Sequence, residues 1–263
     1  MSIPCSVEIL TRNSEKTLER CLESVKDCAE VIILDGNSTD RTLEIAKLYG
    51  CKIYKQYDTD EPNILIQDYS EIRNKGLALA SYDWFMYIDS DEYLSQGAVA
   101  EVRSIVENPN PSAYVFWQPR KYIVDGKIID CATTYPNQQP RLFHKKFVEG
   151  FIKPVHEKIK VKAGVPMGIL KGFEYVPEDS IQELHVRWAR YMRIELEMAE
   201  GVSTTKLLRF VCRHSALFLF YVLRYFRNLF FCRGNRMPLR YEYARHIYTL
   251  RLVGGLIARL LRS

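Results

Sequence analysis

Trp84-Phe85-Met86-Tyr87-Ile88-Asp89-Ser90-Asp91-Glu92 joins five consecutive apolar residues to three carboxylates within four positions. A short continuous apolar run bounded by polar residues is the pattern of a strand buried on both faces. In open α/β sheets, ligands sit outside the carboxyl ends of such strands. Side chains at i and i+2 of an extended chain point the same way, so Asp89 and Asp91 converge. Converging carboxylates repel unless a cation lies between them, and hard oxygen donors suit Mg²⁺ or Mn²⁺. Such a site typically holds a metal against the phosphates of a nucleotide. The plainer reading is an acidic turn in which Asp91 or Ser95 caps the helix that follows.

Upstream, strand and helix patterns alternate. Cys5–Thr11 reads as a strand, Ser14–Lys26 as a helix with Leu18, Leu22 and Val25 on one face, and Val31–Leu34 as a buried strand. Ser38–Tyr49 reads as a helix ended by Gly50, Lys52–Tyr57 as a strand, and Asp68–Ala80 as a helix. Repeated β-α-β units predict an α/β fold whose mostly parallel sheet is covered by helices on both faces. After about residue 108 the pattern changes. Ala113–Val124 and Lys127–Cys131 flank Asp125-Gly126, a type I′ hairpin signal. Arg141–His144 and Glu157–Val161 read as short strands, and Leu184–Glu200 as a helix broken by Gly201. The expected division is a domain over 1–205, with a nucleotide half over 1–108 and an acceptor half over 109–205, followed by a helical tail over 206–263.

Composition is that of a folded globular chain, with 47% hydrophobic and 26% charged residues. The seven cysteines form no C-x-x-C pair, so neither a disulfide framework nor a zinc site is expected, and a reducing cytosol fits. The first residues, Met1-Ser2-Ile3-Pro4-Cys5, carry no signal-peptide pattern. Charge is unevenly placed. From Lys206 onward there are twelve Lys/Arg and one acid, Glu242, a local +11; with +5 overall, the first 205 residues carry −6. An acidic body joined to a basic tail suggests two different surroundings.

Several further residues can do chemistry. Asp35 ends the second strand before Gly36-Asn37-Ser38-Thr39-Asp40 and a helix start, where it can accept from a ribose hydroxyl or a base N–H. Helix capping by Asn37, Ser38 or Asp40 is the plainer alternative. Arg73 can meet a diphosphate or a base edge, or stand as an exposed helix arginine. His156 and Glu157 place two proton-transfer groups side by side. G-x-G-x-x-G, G-x-x-x-x-G-K-[ST] and G-x-S-x-G are all absent, which argues against a dinucleotide dehydrogenase, a P-loop NTPase and a serine hydrolase.

The series Thr11-Arg12-Asn13, Asp35 to Asp40, Arg73-Asn74 and Asp89-Ser90-Asp91-Glu92 resembles the family 2 glycosyltransferases of GT-A fold, most densely over residues 3–95. The later pieces Gln139-Pro140-Arg141-Leu142-Phe143, Val155-His156-Glu157, and Leu184-His185 through Arg190-Tyr191 are similar to the bacterial lipopolysaccharide-core glucosyltransferases. The resemblance implies a divalent metal, Mg²⁺ or Mn²⁺, on Asp89 and Asp91. It also implies a nucleotide sugar, a UDP-sugar above others, against Thr11, Arg12, Asn13, Asp35, Arg73 and Asp89. Arg141 and His185 fall on the acceptor side. The family's usual Glu-Asp base motif is absent, and Gly36-Asn37 stands where many members have Asp-Gly. An acceptor hydroxyl must still lose its proton during attack, which makes Glu157 the candidate base, with His156, His185 and Asp130 behind it.

The tail adds a membrane expectation. In a helix over Lys206–Arg233, Lys206, Arg209, Arg213, Arg224 and Arg227 fall within an arc of about 60°. The longest charge-free run, Ser215–Leu223, has nine residues, against about 20 for a membrane span. A basic stripe on an aromatic body suits a helix lying on an anionic leaflet, or a lid with solvated arginines. The expected enzyme is therefore a metal-dependent, inverting hexosyltransferase for cell-surface glycans, peripheral to the cytoplasmic face of the inner membrane, with a glycolipid or lipid-linked glycan as acceptor. A polyprenyl-phosphate glycosyltransferase is the near alternative. A nucleic-acid-binding protein using the basic tail is the distant one, and no nucleic-acid-binding motif supports it.

Overall fold

The computed structural model describes residues 2–154, 157–178 and 180–261. The elements in chain order are β1 (Ile3–Thr11), α1 (Leu18–Val25), β2 (Cys28–Asp35), α2 (Thr42–Leu48), β3 (Lys52–Lys55), α3 (Tyr69–Leu79), β4 (Trp84–Asp89), β5 (Tyr93–Leu94) and α4 (Gln96–Val106). They continue with β6 (Val115–Val124), β7 (Lys127–Ile128), β8 (Asn137–His144), β9 (Val148–Ile152), β10 (Lys158–Val161), β11 (Met167–Ile169) and β12 (Glu174–Pro177). Three helices end the chain: α5 (Ile181–Met198), α6 (Thr204–Phe231) and α7 (Leu239–Leu260).

The principal sheet runs β3-β2-β1-β4-β8-β6-β12-β5, with β11 and β7 also paired to β6. Its first four strands are parallel, and β8 joins β4 antiparallel. β9 and β10 form a separate antiparallel pair. The apolar run of β4 is buried from Trp84 to Ile88, as a central parallel strand requires. Its two faces feed two cores. One holds Ile9, Leu18, Leu22, Trp84, Met86 and Ile88, and the other Ile32, Phe85, Tyr87, Phe143 and Phe151. Cross-strand register then sets the working edge, because Thr11 pairs with Asp35 and Leu10 with Asp89. Three strands therefore end at one level.

The first two helices start later than periodicity predicts, at Leu18 and Thr42, whereas α5 starts earlier, at Ile181. α2 begins at Thr42 because residues 36–41 are held as a loop: Asp35 accepts from the Ser38 N–H, and Asp40 accepts from the N–H groups of Glu15 and Thr42. Short polar side chains offer the backbone such alternatives to helix. Asp68 caps α3 and Ser95 caps α4, each accepting from the N–H three residues on, so Ser95, not Asp91, is the cap after the acidic motif. Asp125 and Gly126 both have positive φ, as a type I′ turn demands.

The chain divides into two compact units: residues 2–121 with 136–176, and residues 122–135 with 177–261. This partition differs from a break at residue 206. In the second unit the hairpin segment is bound to the terminal helices. Glu242 accepts from the Thr133 N–H and hydroxyl at 2.9 and 2.5 Å, and Arg224 donates to the Thr133 carbonyl at 3.2 Å. A disulfide joins Cys131 to Cys232. That bond overturns the expectation of unpaired cysteines, which rested on short spacings and could not see partners 101 residues apart.

A cross-link closing so long a loop restrains the unfolded chain. Replacing Cys131 and Cys232 together with Ser is expected to lower unfolding free energy by about 2–4 kcal/mol. Denaturant unfolding read by far-ultraviolet circular dichroism checks this, and dithiothreitol should reproduce the loss in the wild type.

Candidate active site

Asp89 ends β4 with its side chain half exposed and both oxygens engaged. Arg73 of α3 donates to Oδ1 at 2.6 Å, and Arg141 of β8 donates to Oδ2 at 3.0 Å. Both guanidiniums are 1% exposed. Burial works against the charge of Asp89, yet Arg141, Arg73 and Arg120 hold its carboxyl well below the usual carboxylate range. The Tyr87 ring neighbours both cations, its centroid 4.7 Å from the Arg73 Cζ and 4.6 Å from the Arg141 Cζ. A ring face attracts a cation, so one aromatic side chain serves both like charges.

Each arginine reaches further. Arg141 also contacts Glu92 at 2.5 Å and Glu174 at 2.9 Å, and Arg120 binds Glu92. Burial pushes the Glu92 carboxyl upward against the pull of Arg120 and Arg141. For Glu174, burial is outweighed by Arg141, by a hydrogen bond from Glu92 and by Arg120, which keep it ionised. Arg73 places Nη1 3.5 Å from Glu8 and Nε 3.6 Å from Glu157. Asn74, next to Arg73, donates to the Phe151 carbonyl at 2.9 Å and accepts from its N–H at 2.7 Å. The Tyr69 N–H donates to the Pro154 carbonyl at 2.9 Å. Helix α3 thus anchors β9 and Pro154.

On the other side of Asp89, Asp35 is 4% exposed and fully engaged. Its Oδ1 accepts from the hydroxyls of Thr11 and Ser38, and its Oδ2 from the Ser38 N–H. Asn13 and Asn37 take left-handed backbone, and Asn13 accepts from the Thr39 N–H at 2.9 Å. Gly36 packs so closely that a Cβ would lie 2.9 Å from the Ile64 carbonyl. The hydroxyls of Ser14 and Ser90, 2.9 Å apart, link this loop to the acidic motif. Arg12 and Asn13 form an exposed rim, and Asp91 is half-buried.

Thr11, Arg12, Asn13, Asp35, Arg73, Asp89, Asp91, Arg141 and Glu157 all lie in the first unit. Arg73 and Arg141 are interior cations there, whereas the sequence reading gave them to diphosphate and acceptor. His156 lies outside the described residues. His185 is exposed on α5, and Asp130 accepts from the Asn235 N–H, both in the second unit. Periodicity gave no notice of Glu8, Arg120 or Glu174. A charged residue inside an otherwise apolar strand run was the available signal for Glu8. Among the described residues no three His, Cys, Asp or Glu cluster as a metal cage.

Residues 6–171 match the family model described as Glycosyl transferase family 2. This chain belongs to that family. It is 34% identical over 155 residues to a TPR repeat-containing protein of Synechococcus elongatus, covering 59% of this chain and 35% of that protein. It is 31% identical over 146 residues to an uncharacterized glycosyltransferase of Rickettsia bellii, covering 54% and 46%. The chain thus spans less than half the length of these curated relatives. In structure it is similar to residues 1–349 of S. aureus TarS, solved in complex with UDP-GlcNAc, at TM-score 0.51 and 17% identity over 99% of this chain and 83% of that one. The likeness is one of fold, and the fold of this family 2 member is GT-A, as its sequence predicts.

Removing one partner of a buried ionic network leaves charges uncompensated. Arg141→Met is expected to destabilise the protein by about 3–5 kcal/mol, measured by urea unfolding. Asp89 and Glu174 are held below their usual range, so their stabilisation is full above about pH 4 and is lost as pH falls further. The deficit of the variant should therefore shrink in acid.

Proposed function

We propose that this chain transfers a hexose from a UDP-sugar to a hydroxyl of a glycan or glycolipid, with inversion, in cell-surface glycan synthesis. The observation that carries this reading is the ending of β2 and β4 in Asp35 and Asp89 at one edge of the parallel sheet, with Asp91 two residues beyond and Glu157 paired to the same Arg73 as Asp89. Membership of glycosyl transferase family 2 and a fold shared with a UDP-GlcNAc complex support a nucleotide-sugar donor.

In this scheme the loop held by Asp35 and Thr11 receives the nucleoside, with Arg12 and Asn13 at its rim. Mg²⁺ binds through one or two carboxylates plus substrate phosphates, and Asp91 with Asp89 offers that donor set. When bound, the ion supplies Lewis-acid stabilisation of the leaving diphosphate. Glu157 takes the proton of the attacking hydroxyl at its carboxylate, and Arg73 holds that carboxylate in place. Single in-line attack inverts the anomeric centre.

The acceptor is proposed to be lipid-borne. Helix α6 exposes Leu219, Phe220, Leu223, Phe226, Phe230 and Phe231 together with Arg209, Arg213 and Arg227, a pairing of apolar and basic groups suited to an anionic leaflet. Arg224 differs, since it stacks on Phe220 and binds the Thr133 carbonyl. Among the described residues no helix is long and apolar enough to cross a membrane. We place the enzyme on the cytoplasmic face of the inner membrane. Disulfides are uncommon in reducing cytosol, so trapping the thiol state of Cys131 and Cys232 at lysis tests the compartment. A polyprenyl phosphate is the alternative lipid acceptor, and acceptor assays separate the two.

Asp91→Asn is expected to abolish Mn²⁺-dependent binding of UDP in calorimetry while leaving the fold intact. Undiminished binding removes the metal assignment. Glu157→Gln should keep UDP binding and slow sugar transfer by about 10²–10⁴, and transfer near the wild-type rate excludes Glu157 as the base. Arg209, Arg213 and Arg227 together contribute about 3 kcal/mol at an anionic surface. Their replacement by Gln should release the protein from phosphatidylglycerol vesicles in sedimentation, as should high salt. Full co-sedimentation of the triple variant makes this face an ordinary solvated one.

A further inference from the structure

Glu8 lies in the middle of β1, 0% exposed, with Ile32 and Tyr87 as its register partners on β2 and β4. Its Oε2 accepts from Arg73 at the long distance of 3.5 Å. Its Oε1 has no hydrogen-bond partner among the described residues and is covered by the Gly76 backbone, where an added Cβ would lie 2.6 Å from the Glu8 carboxyl carbon. The groups that face it are Arg73 from α3 and, beyond it, Asp89 on β4 and Glu157 after β9. One cation therefore serves three carboxylates. It gives its shortest bond, 2.6 Å, to Asp89. An ionised Glu8 would leave a buried oxygen uncompensated and would compete for that cation.

We propose that Glu8 is a positioning residue: kept neutral, it leaves the Arg73 guanidinium to Asp89 and Glu157, and on ionising it draws Arg73 away from both. Burial pushes its carboxyl up to about 8 against the pull of Arg73, so the switch falls just above neutrality. The sign follows from linkage. A carboxyl raised above its ordinary value of 4.5 lowers folded stability progressively as pH rises from 4.5 to about 8. Glycosyl transfer, by the same argument, should fall on the alkaline side with single-proton dependence.

The activity readout rests on the glycosyltransfer reading, but the proton readout does not. Infrared spectroscopy of full-length protein labelled with ¹³C-glutamate should show a carboxyl band at pH 7 that titrates near 8 and is missing in Glu8→Gln. Glu157→Gln relieves Arg73 of one carboxylate and removes one repulsion, so it should move that titration to lower pH. The second variant keeps the test sharp should Glu8→Gln fail to fold. If UDP-glucose with Mn²⁺ proves a substrate, the ratio of kcat at pH 7 to that at pH 9 should be large in the wild type and approach one in Glu8→Gln. An ionised Glu8 at pH 7, or a titration that ignores Glu157→Gln, overturns the proposal. So does an alkaline limb equal in wild type and Glu8→Gln. Absence of turnover with a titration behaving as described counts against the donor assignment alone.

Discussion

Asp89 presents one oxygen to each of two buried guanidiniums, and the position of almost every other group at the sheet edge follows from that clamp. Arg73 arrives on a helix and Arg141 on an antiparallel strand, so the carboxylate fixes where α3 and β8 stand relative to β4. Two cations so close would repel strongly at the reduced dielectric of an interior. The Tyr87 ring beside both and the acids around them make the arrangement tolerable. Arg141 and Arg120 share Glu92 and Glu174, while Arg73 spans Glu8, Asp89 and Glu157. A buried ionic group contributes little net stability compared with apolar packing, yet breaking it is expensive. Its effect here is geometric: the half-exposed carboxylate cannot rotate without unpairing a guanidinium.

That rigidity joins the two halves of the proposed chemistry. In that proposal the group that receives a proton and the group that stands beside a diphosphate pair with two nitrogens, Nε and Nη2, of one planar cation. Preorganisation of this kind reduces what must be reordered when charge develops.

Legibility in the sequence followed the range of the interaction. The apolar run 84–88, the Asp-Gly turn and the glycine after α2 were readable because their causes lie within a few residues. Asp35, Asp89 and Asp91 stood out because strand ends were readable and carboxylates at strand ends are informative. Arg73 and Arg141 were noticed but misplaced, since nothing local distinguishes an interior arginine with distant acidic partners from one that meets a ligand. Glu8 and Glu174 were invisible for the same reason, their meaning residing in residues 65 and 33 positions away. The disulfide and the attachment of residues 122–135 to the terminal helices are longer-range still.

That attachment has a temporal side. Residues 122–135 leave the ribosome with their partners, Arg224 through Glu242, about a hundred residues from being made. At synthesis rates of about 5–20 residues per second, the delay is roughly 5–20 s. For that interval the Thr133 backbone lacks its acceptor and the Cys131 thiol lacks its mate. The first unit, closed by a strand that ends at Pro177, has its full sequence much earlier. Assembly of the second unit is thus deferred to the last residues translated, and a nascent chain halted before residue 232 would carry a completed glycosyltransferase-family sheet beside an orphaned hairpin.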